Sequence, residues 1–335
     1  MNPRVFLSAF CALACLAGAG ACAAAGAAVA TYAPGPRSFS VETVKAVVHE
    51  PVQAKRRLRR NSLSVASQSG LRETPDPLEL SSSVAYMIDQ DTGEVYFEKN
   101  AYIKLPIASV TKLMTALVIA ESELPLKAKL KVTRADYVKS TAESKLRSGM
   151  VLTREDALRA ALMSSDNRAA HMLARTYPGG VKVFVEKMNE TARELGMHDS
   201  HFTDPTGLSN ENVSTAHDLA ILASRVHEFA FLAKASTGSV ALLNTGVSKV
   251  RLMTTNRLIG DPRWNVGLQK TGYTRAAGRC MVVQSEFAGH RVVMVVLDSE
   301  TNGKRADDML KMRRWLEDEV RFENQFANVA PFGLL

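Results

Sequence analysis

Strand-like alternation lies at the two ends of the globular part of this chain, and helical periodicity fills the stretch between them. Val84-Ala85-Tyr86-Met87-Ile88-Asp89 and Glu94-Val95-Tyr96-Phe97-Glu98 are rich in β-branched and aromatic residues, with Gln90-Asp91-Thr92-Gly93 between them as a hairpin turn. Two further strands are expected near 280–287 and 291–298, separated by the turn residues Ala288-Gly289-His290. Helical patterns run at about 110–122, 154–164, 179–195, 215–227 and 304–323. A doubly wound parallel sheet needs strands and helices to alternate, which this order does not offer. It suits an α+β chain whose antiparallel sheet gathers both ends, with a helical insertion in the middle. With 46% hydrophobic residues, the chain has ample material for that core.

Residues 1–30 read differently. Arg4 precedes Val5-Phe6-Leu7-Ser8-Ala9-Phe10 and a long run of small and apolar residues that ends in Ala28-Val29-Ala30. A charged start, an apolar middle and a small-residue exit mark a secretory signal peptide. An uncleaved membrane anchor is the alternative, because the apolar run is long. Cys22 follows Ala19-Gly20-Ala21, a poor lipoprotein exit. Cys11, Cys15 and Cys22 fall in this leader, so Cys280 stands alone beyond it, makes no internal disulfide and is expected to be a small buried hydrophobe. Residues 31–77 show little periodicity and read as a flexible basic linker. Lys55, Arg56, Arg57, Arg59 and Arg60 supply five of the formal +8 charges, so the net charge mostly describes this tether. It is a solvated spacer, or else it draws the chain weakly toward anionic lipid or wall polymers in the envelope. Export argues against a nucleic-acid partner.

Three short motifs carry chemistry. In Pro106-Ile-Ala-Ser109-Val-Thr-Lys112, Pro106 suits a helix entry, and residues three apart share a helix face. The Ser109 hydroxyl and the Lys112 amine are therefore expected within hydrogen-bond reach. A serine needs a neighbouring base to act as a nucleophile, and a lysine serves if burial or a second cation keeps it uncharged. Alone, such a pair is more often a capped surface helix. Here Ser164-Ser165-Asp166-Asn167 follows about 55 residues on, and Lys270-Thr271-Gly272 about 105 beyond that. Ser-x-x-Lys, Ser-Asp-Asn and Lys-Thr-Gly in this order form the set of penicillin-binding proteins and class A β-lactamases. Each is weak singly, and the ordered triple behind an export signal is specific.

Four longer stretches extend the likeness: Ile88-Asp89-Gln90-Asp91-Thr92-Gly93-Glu94-Val95, Ser109-Val-Thr-Lys112-Leu-Met-Thr-Ala, Phe202-Thr-Asp-Pro205-Thr-Gly207-Leu208 and Ser214-Thr215-Ala216-His217-Asp218-Leu219-Ala220. With them the chain resembles the low-molecular-mass penicillin-binding proteins, serine D-alanyl-D-alanine peptidases that trim peptidoglycan, over roughly 80 to 320. The resemblance implies the serine peptidase/β-lactamase-like fold, an antiparallel sheet flanked by helices with a helical subdomain and a cleft between. It divides the chain into a leader at 1–30, the linker at 31–77, a D,D-peptidase domain at 78–325 and a short tail at 326–335. By the same resemblance Ser109 is acylated, Lys112, kept neutral by burial and by the nearby cation of Lys270, takes its proton, and Ser165 relays a proton between Lys112, Lys270 and the leaving amine. Asn167, Lys270, Thr271 and Gly272 hold the substrate, and the backbone N–H groups of Ser109 and Tyr273 form an oxyanion hole. No cofactor or metal is implied. The implied partners are peptidoglycan and, as covalent inhibitors, β-lactams, in the periplasm.

Rival readings separate on particular residues. A class A β-lactamase needs a Glu some 35 residues after Ser-Asp-Asn, and 195–210 contain none. Asp204 lies there, inside the peptidase-like stretch. A non-catalytic scaffold would not need three intact motifs. His217 and Asp218 read as a helix start, His198 and His201 lack a third ligand, and Trp264 and Trp315 read as packing. Between carboxypeptidase and endopeptidase, the short stretch after Lys270-Thr-Gly, without a further β-domain, resembles the D-alanyl-D-alanine endopeptidases, so cleavage of D-Ala–diamino acid cross-links is the preferred expectation.

Overall fold

A computed structural model describes residues 63–327 apart from Thr141 and Ala288, with side chains as far as residue 320. The expected leader, the linker up to residue 62 and the tail from residue 328 lie outside the described residues.

The described chain opens with a short helix, α1 (Val65–Gln68), capped by Ser64, whose Oγ accepts from the Ser67 amide at 3.2 Å. The hairpin β1 (Val84–Asp89) and β2 (Val95–Lys99) follows, then β3 (Leu105–Pro106) and a 3₁₀ turn at Ala108–Thr111 that runs into α2 (Lys112–Glu121). Strands β4 (Lys129–Lys131) and β5 (Val151–Thr153) pair, and α3 (Arg154–Met163), α4 (Asn167–Arg175) and α5 (Gly180–Glu194) come after them. Strand β6 (Val213–Ser214) pairs with β3 and leads to α6 (Ala216–His227) and α7 (Ala230–Thr237). A second small hairpin, β7 (Val240–Asn244) and β8 (Lys249–Met253), precedes β9 (Asn265–Thr274), β10 (Gly278–Phe287), β11 (His290–Ser299) and the closing helix α8 (Asn302–Ala327).

The main sheet has the order β2-β1-β11-β10-β9, every neighbour antiparallel, so the first and last strands of the chain meet at β1–β11. Successive strand side chains point to opposite faces. On one face Val84, Tyr86, Val282, Val293, Val295 and Leu297 join the large core beneath the helices. On the other, Ala85, Met87, Met281, Val283, Met294 and Val296 pack against Met309, Met312 and Leu316 of α8. With both faces covered, β11 reads as the unbroken run Val292-Val-Met-Val-Val-Leu297 rather than as an alternation. Burial of each such side chain stabilises by about 1.5–3 kcal/mol, so the sheet is held chiefly by its two apolar layers. Helix α2 is buried from Lys112 to Ile119, the mark of a core helix rather than a surface one.

The α+β expectation is the observed architecture, and three details differ. The chain is folded well before residue 78. Ser67 Oγ and the Arg72 guanidinium both donate to Asp298, and Asp76 pairs at 2.9 Å with Lys99, a buried lysine that needs a partner. Pro106 does not enter a helix but pairs with Val213 in β3–β6, and Ser109 sits in the 3₁₀ turn ahead of α2. Helices α4 and α7 and the β7–β8 hairpin had no counterpart in the periodicity. Cys280 is buried in β10 as expected, and burial pushes its thiol up to about 12.

Candidate active site

The nucleophile turn is built by close packing. Ala108, just before Ser109, has φ 49°, a left-handed conformation that a non-glycine residue holds at a cost. Two glycines press on that turn. A Cβ on Gly207 would lie 1.9 Å from the Ala108 carbonyl oxygen, and one on Gly272 would lie 2.9 Å from that of Ile107 and 3.1 Å from the Ser109 amide. Gly272 thus brings strand β9 against the serine's own backbone, and only a residue without a side chain fits there.

Lys112 stands at the first position of α2, buried, with its Nζ 2.8 Å from Ser109 Oγ, 2.7 Å from Asn167 Oδ1 and 2.7 Å from the Thr206 carbonyl oxygen. The last two oxygens can only accept, so they take two of the amine's N–H bonds. When the amine is neutral, its lone pair is left facing the serine hydroxyl. Burial pulls Lys112 down to about 7, against the opposing pull of the Asp204 and Asp166 carboxylates. Near neutral pH this amine is poised to take a proton.

The Asp204-Pro-Thr-Gly stretch supplies the Thr206 carbonyl. Asp204 Oδ1 accepts from the Thr206 and Gly207 amides at 2.6 and 2.8 Å, and its Oδ2 accepts from Ser209 at 2.8 Å. Asn212 Nδ2 donates to the Asp204 carbonyl and to Thr111 Oγ1. With both oxygens accepting from the turn, Asp204 is a loop anchor and not a base for hydrolytic water.

Ser165 also has a positive φ, 58°, and its Oγ accepts from Lys270 Nζ at 2.9 Å. Lys270 Nζ donates as well to the Thr271 carbonyl at 2.7 Å, and Thr271 Oγ1 lies 2.6 Å from Thr255 Oγ1. Burial, then the charge of Lys112, then Arg305 pull the Lys270 amine well below the ordinary lysine range. Burial, expected for Lys112, is the larger cause there, and it acts on Lys270 too, so Lys270 is itself held down rather than standing beside Lys112 as a fixed cation.

Ser109, Lys112, Ser165, Asn167, Lys270, Thr271 and Gly272 are brought together, from the 3₁₀ turn and the first residue of α2, the α3–α4 junction and β9. Asn167 does something the sequence did not suggest, for its Oδ1 is spent on Lys112 while its Nδ2 donates to Ser140 Oγ at 3.1 Å. The donating Lys112 amine selects Oδ1, and Ser140 Oγ holds the other end of the amide as a second anchor. It lies in a loop with no motif around it, and no signal in the sequence could have found it. Tyr273 continues β9, its ring 56% exposed under the Arg279 guanidinium. His217 packs on Tyr86 and Tyr102, and Asp218 accepts from Ser200, so that pair is structural.

Comparison with known proteins agrees with this geometry. A family model described as D-alanyl-D-alanine carboxypeptidase matches residues 71–301. A D-alanyl-D-alanine endopeptidase of Pseudomonas aeruginosa is 40% identical over 76% of this chain and 85% of its own length. One from Escherichia coli is 38% identical over 71% and 78%. A D-alanyl-D-alanine carboxypeptidase of Bacillus subtilis is 33% identical over 74% and 64%. Among solved structures, a Streptomyces DD-transpeptidase superposes with TM-score 0.67 at 28% identity, covering 72% of this chain and 98% of that one. A Listeria monocytogenes penicillin-binding protein in its ampicillin-bound form gives TM-score 0.63 at 30% identity, covering 72% and 98%. The family model over most of the chain and the relatives at 33–40% identity lead to one conclusion: this chain belongs to the D-alanyl-D-alanine carboxypeptidase family.

Proposed function

We propose that this chain is a peptidoglycan D,D-peptidase working through an acyl-serine, with the cross-link between D-Ala and the diamino acid of a neighbouring stem as its substrate. The observation that carries the reading is the buried Lys112 amine held 2.8 Å from Ser109 Oγ by two oxygens that can only accept. The preference for endopeptidase over carboxypeptidase rests on the relatives: the two at higher identity carry the endopeptidase name. The carboxypeptidase is further away.

In this reading Ser109 Oγ attacks the D-Ala carbonyl carbon as its proton passes to Lys112 Nζ. The oxyanion is assigned to the backbone N–H groups of Ser109 and Tyr273 by likeness to the family, and the close approach of β9 to the turn at Gly272 supports that reading. The C–N bond then breaks as the proton held on Lys112 passes by way of Ser165, which is already bonded to Lys270, to the leaving amine, and Lys112 is neutral again. An incoming substrate carboxylate favours the protonated form of Lys270, reversing the effect of burial on that amine. Water next attacks the ester carbonyl and gives its proton to Lys112, which returns it to Ser109 Oγ as the acyl bond breaks. β-Lactams enter the same acylation, and the ampicillin-bound neighbour supports their binding here. We place the enzyme in the periplasm on the strength of its leader sequence; among the described residues no helix is long and apolar enough to cross a membrane.

Labelling with a fluorescent penicillin, followed by peptide mapping, tests the nucleophile. The adduct is expected on Ser109 and absent from Ser109→Ala. Equal labelling of that variant would remove Ser109 from the mechanism.

A further inference from the structure

The β7–β8 hairpin forms one wall of the cleft with its inner face, where Leu252 lines a small cavity beside Ser164, Ser165 and Asn167. Leu243, Val250 and Leu252 point inward and are buried, and the Val151 amide donates to the Thr245 carbonyl to hold the hairpin to the body. By the strand alternation, the opposite face looks outward. There Val240 pairs with Met253, Leu242 with Arg251 and Asn244 with Lys249, and Val247 stands at the turn. The four apolar residues are 49%, 53%, 61% and 73% exposed for Val240, Met253, Leu242 and Val247, a cluster of aliphatic side chains in one short hairpin. The hairpin itself, 240–253, carries Lys249 and Arg251 on that face and no carboxylate; Lys145 meets the Arg251 carbonyl, and Glu143 lies at the inner cavity with Leu252.

We propose that the outer face of this hairpin docks on a bilayer surface rich in anionic phospholipid. An apolar tip flanked by cations is the pattern that enters a headgroup region, where aliphatic chains leave water and Lys or Arg meets phosphate. Charge argues against a second copy of this chain, since a twofold contact through the patch would gather Lys249 and Arg251 of both copies in one interface with no carboxylate from the hairpin to offset them. Neutral glycan decides itself by chemistry, because sugars are gripped by aromatic rings and this face carries none. Docked in this way, the outer face lies on lipid while the inner face keeps its place in the cleft wall. The basic cluster Lys55–Arg60 in the sequence adds attraction of the same sign without reading the apolar tip.

The test uses the full chain with vesicles of equal parts phosphatidylglycerol and phosphatidylcholine, and with phosphatidylcholine alone. Hydrogen exchange is expected to slow at the amides of 240–253 with the anionic vesicles and not with the neutral ones. Lys249→Ala with Arg251→Ala is expected to weaken vesicle binding about thirtyfold, from the usual gain per cation at such a surface. Leu242→Ser with Val247→Ser is expected to weaken it about tenfold or more. Penicillin labelling of Ser109 should stay unchanged in both variants, which separates this proposal from the enzymatic one. Unchanged exchange at the hairpin, or variants that bind vesicles as the wild type does, would overturn it. So would a wild-type dimer in sedimentation that the Leu242→Ser, Val247→Ser variant loses, since the face would then join two copies.

Discussion

At the scale of the residue, the central object is one amine and what its three hydrogen bonds face. Lys112 acts as a base only when neutral, and burial sets its pKa at about 7. Acylation by a β-lactam is therefore expected to rise with pH through about 7 and level off above it, as the fraction of neutral amine does. Ser140 enters through this same balance. Its Oγ accepts from Asn167 Nδ2 and so steadies the amide whose Oδ1 meets the lysine, a contact that favours the ammonium form. In Ser140→Ala the amide loses that second anchor and its contact to Lys112 loosens. The pKa of Lys112 then falls further, and the acid limb is expected to move down by up to about one pH unit, the worth of one whole hydrogen bond to a charged group. Lys270, Asp166 and Asp204 also act on or beside this amine and are untouched by the change. Stopped-flow acylation across pH checks it, and Ser140→Thr, which keeps the hydroxyl, should restore the profile. An unshifted limb in Ser140→Ala would make the serine a loop contact and nothing more.

At the scale of the element, the site depends on β9 lying against the turn before α2. Gly272→Ala puts a methyl 2.9 Å from the Ile107 carbonyl and 3.1 Å from the Ser109 amide, so the strand must back away by a few tenths of an ångström. Acylation is expected to slow between roughly ten- and a hundredfold with the far-UV circular dichroism unchanged, because small displacements of reacting groups cost that much. The sequence revealed the elements unevenly, and for physical reasons. Strands β1, β10 and β11 were legible because their faces are buried and their apolar residues repeat or run together. The β7–β8 hairpin was not, since half its apolar side chains face outward and its pattern serves no core. Helix α4 begins inside the Ser-Asp-Asn motif with Asp166 as its cap, so the motif masked a helix start that the Asp166 side chain makes by accepting from the Ala169 amide. The three motifs themselves were legible as residues, but not their bonds: Asn167 reads as a substrate holder until the fold spends its acceptor on Lys112. The Asp204-Pro-Thr-Gly stretch was seen as a likeness, and its task of presenting the Thr206 carbonyl appears only in three dimensions.

At the scale of the whole molecule, the two ends of the folded chain close one sheet, and a strap at 63–77 is tied to its edge strand β2 through Asp76 and to its middle strand β11 through Arg72. The Asp76–Lys99 pair is 5% and 2% exposed, so removing the acid strands a buried cation. Asp76→Ala is expected to cost about 3 kcal/mol, roughly 10 °C in Tm, by thermal denaturation. Adding Lys99→Met should recover most of it, and a single variant as stable as wild type would mean that the strap carries no weight. The activity belongs to the whole as well, because the cleft takes its nucleophile from the helical part and its Lys-Thr-Gly strand from the sheet. The most direct measurement is therefore digestion of purified cross-linked peptidoglycan, with the fragments resolved by mass spectrometry beside a Ser109→Ala control. Cross-linked dimers are expected to fall to monomers without release of free D-Ala, and only with Ser109 present. Free D-Ala from pentapeptide stems with the dimers left intact would contradict cross-link cleavage, and dimer loss that persists in Ser109→Ala would contradict the serine.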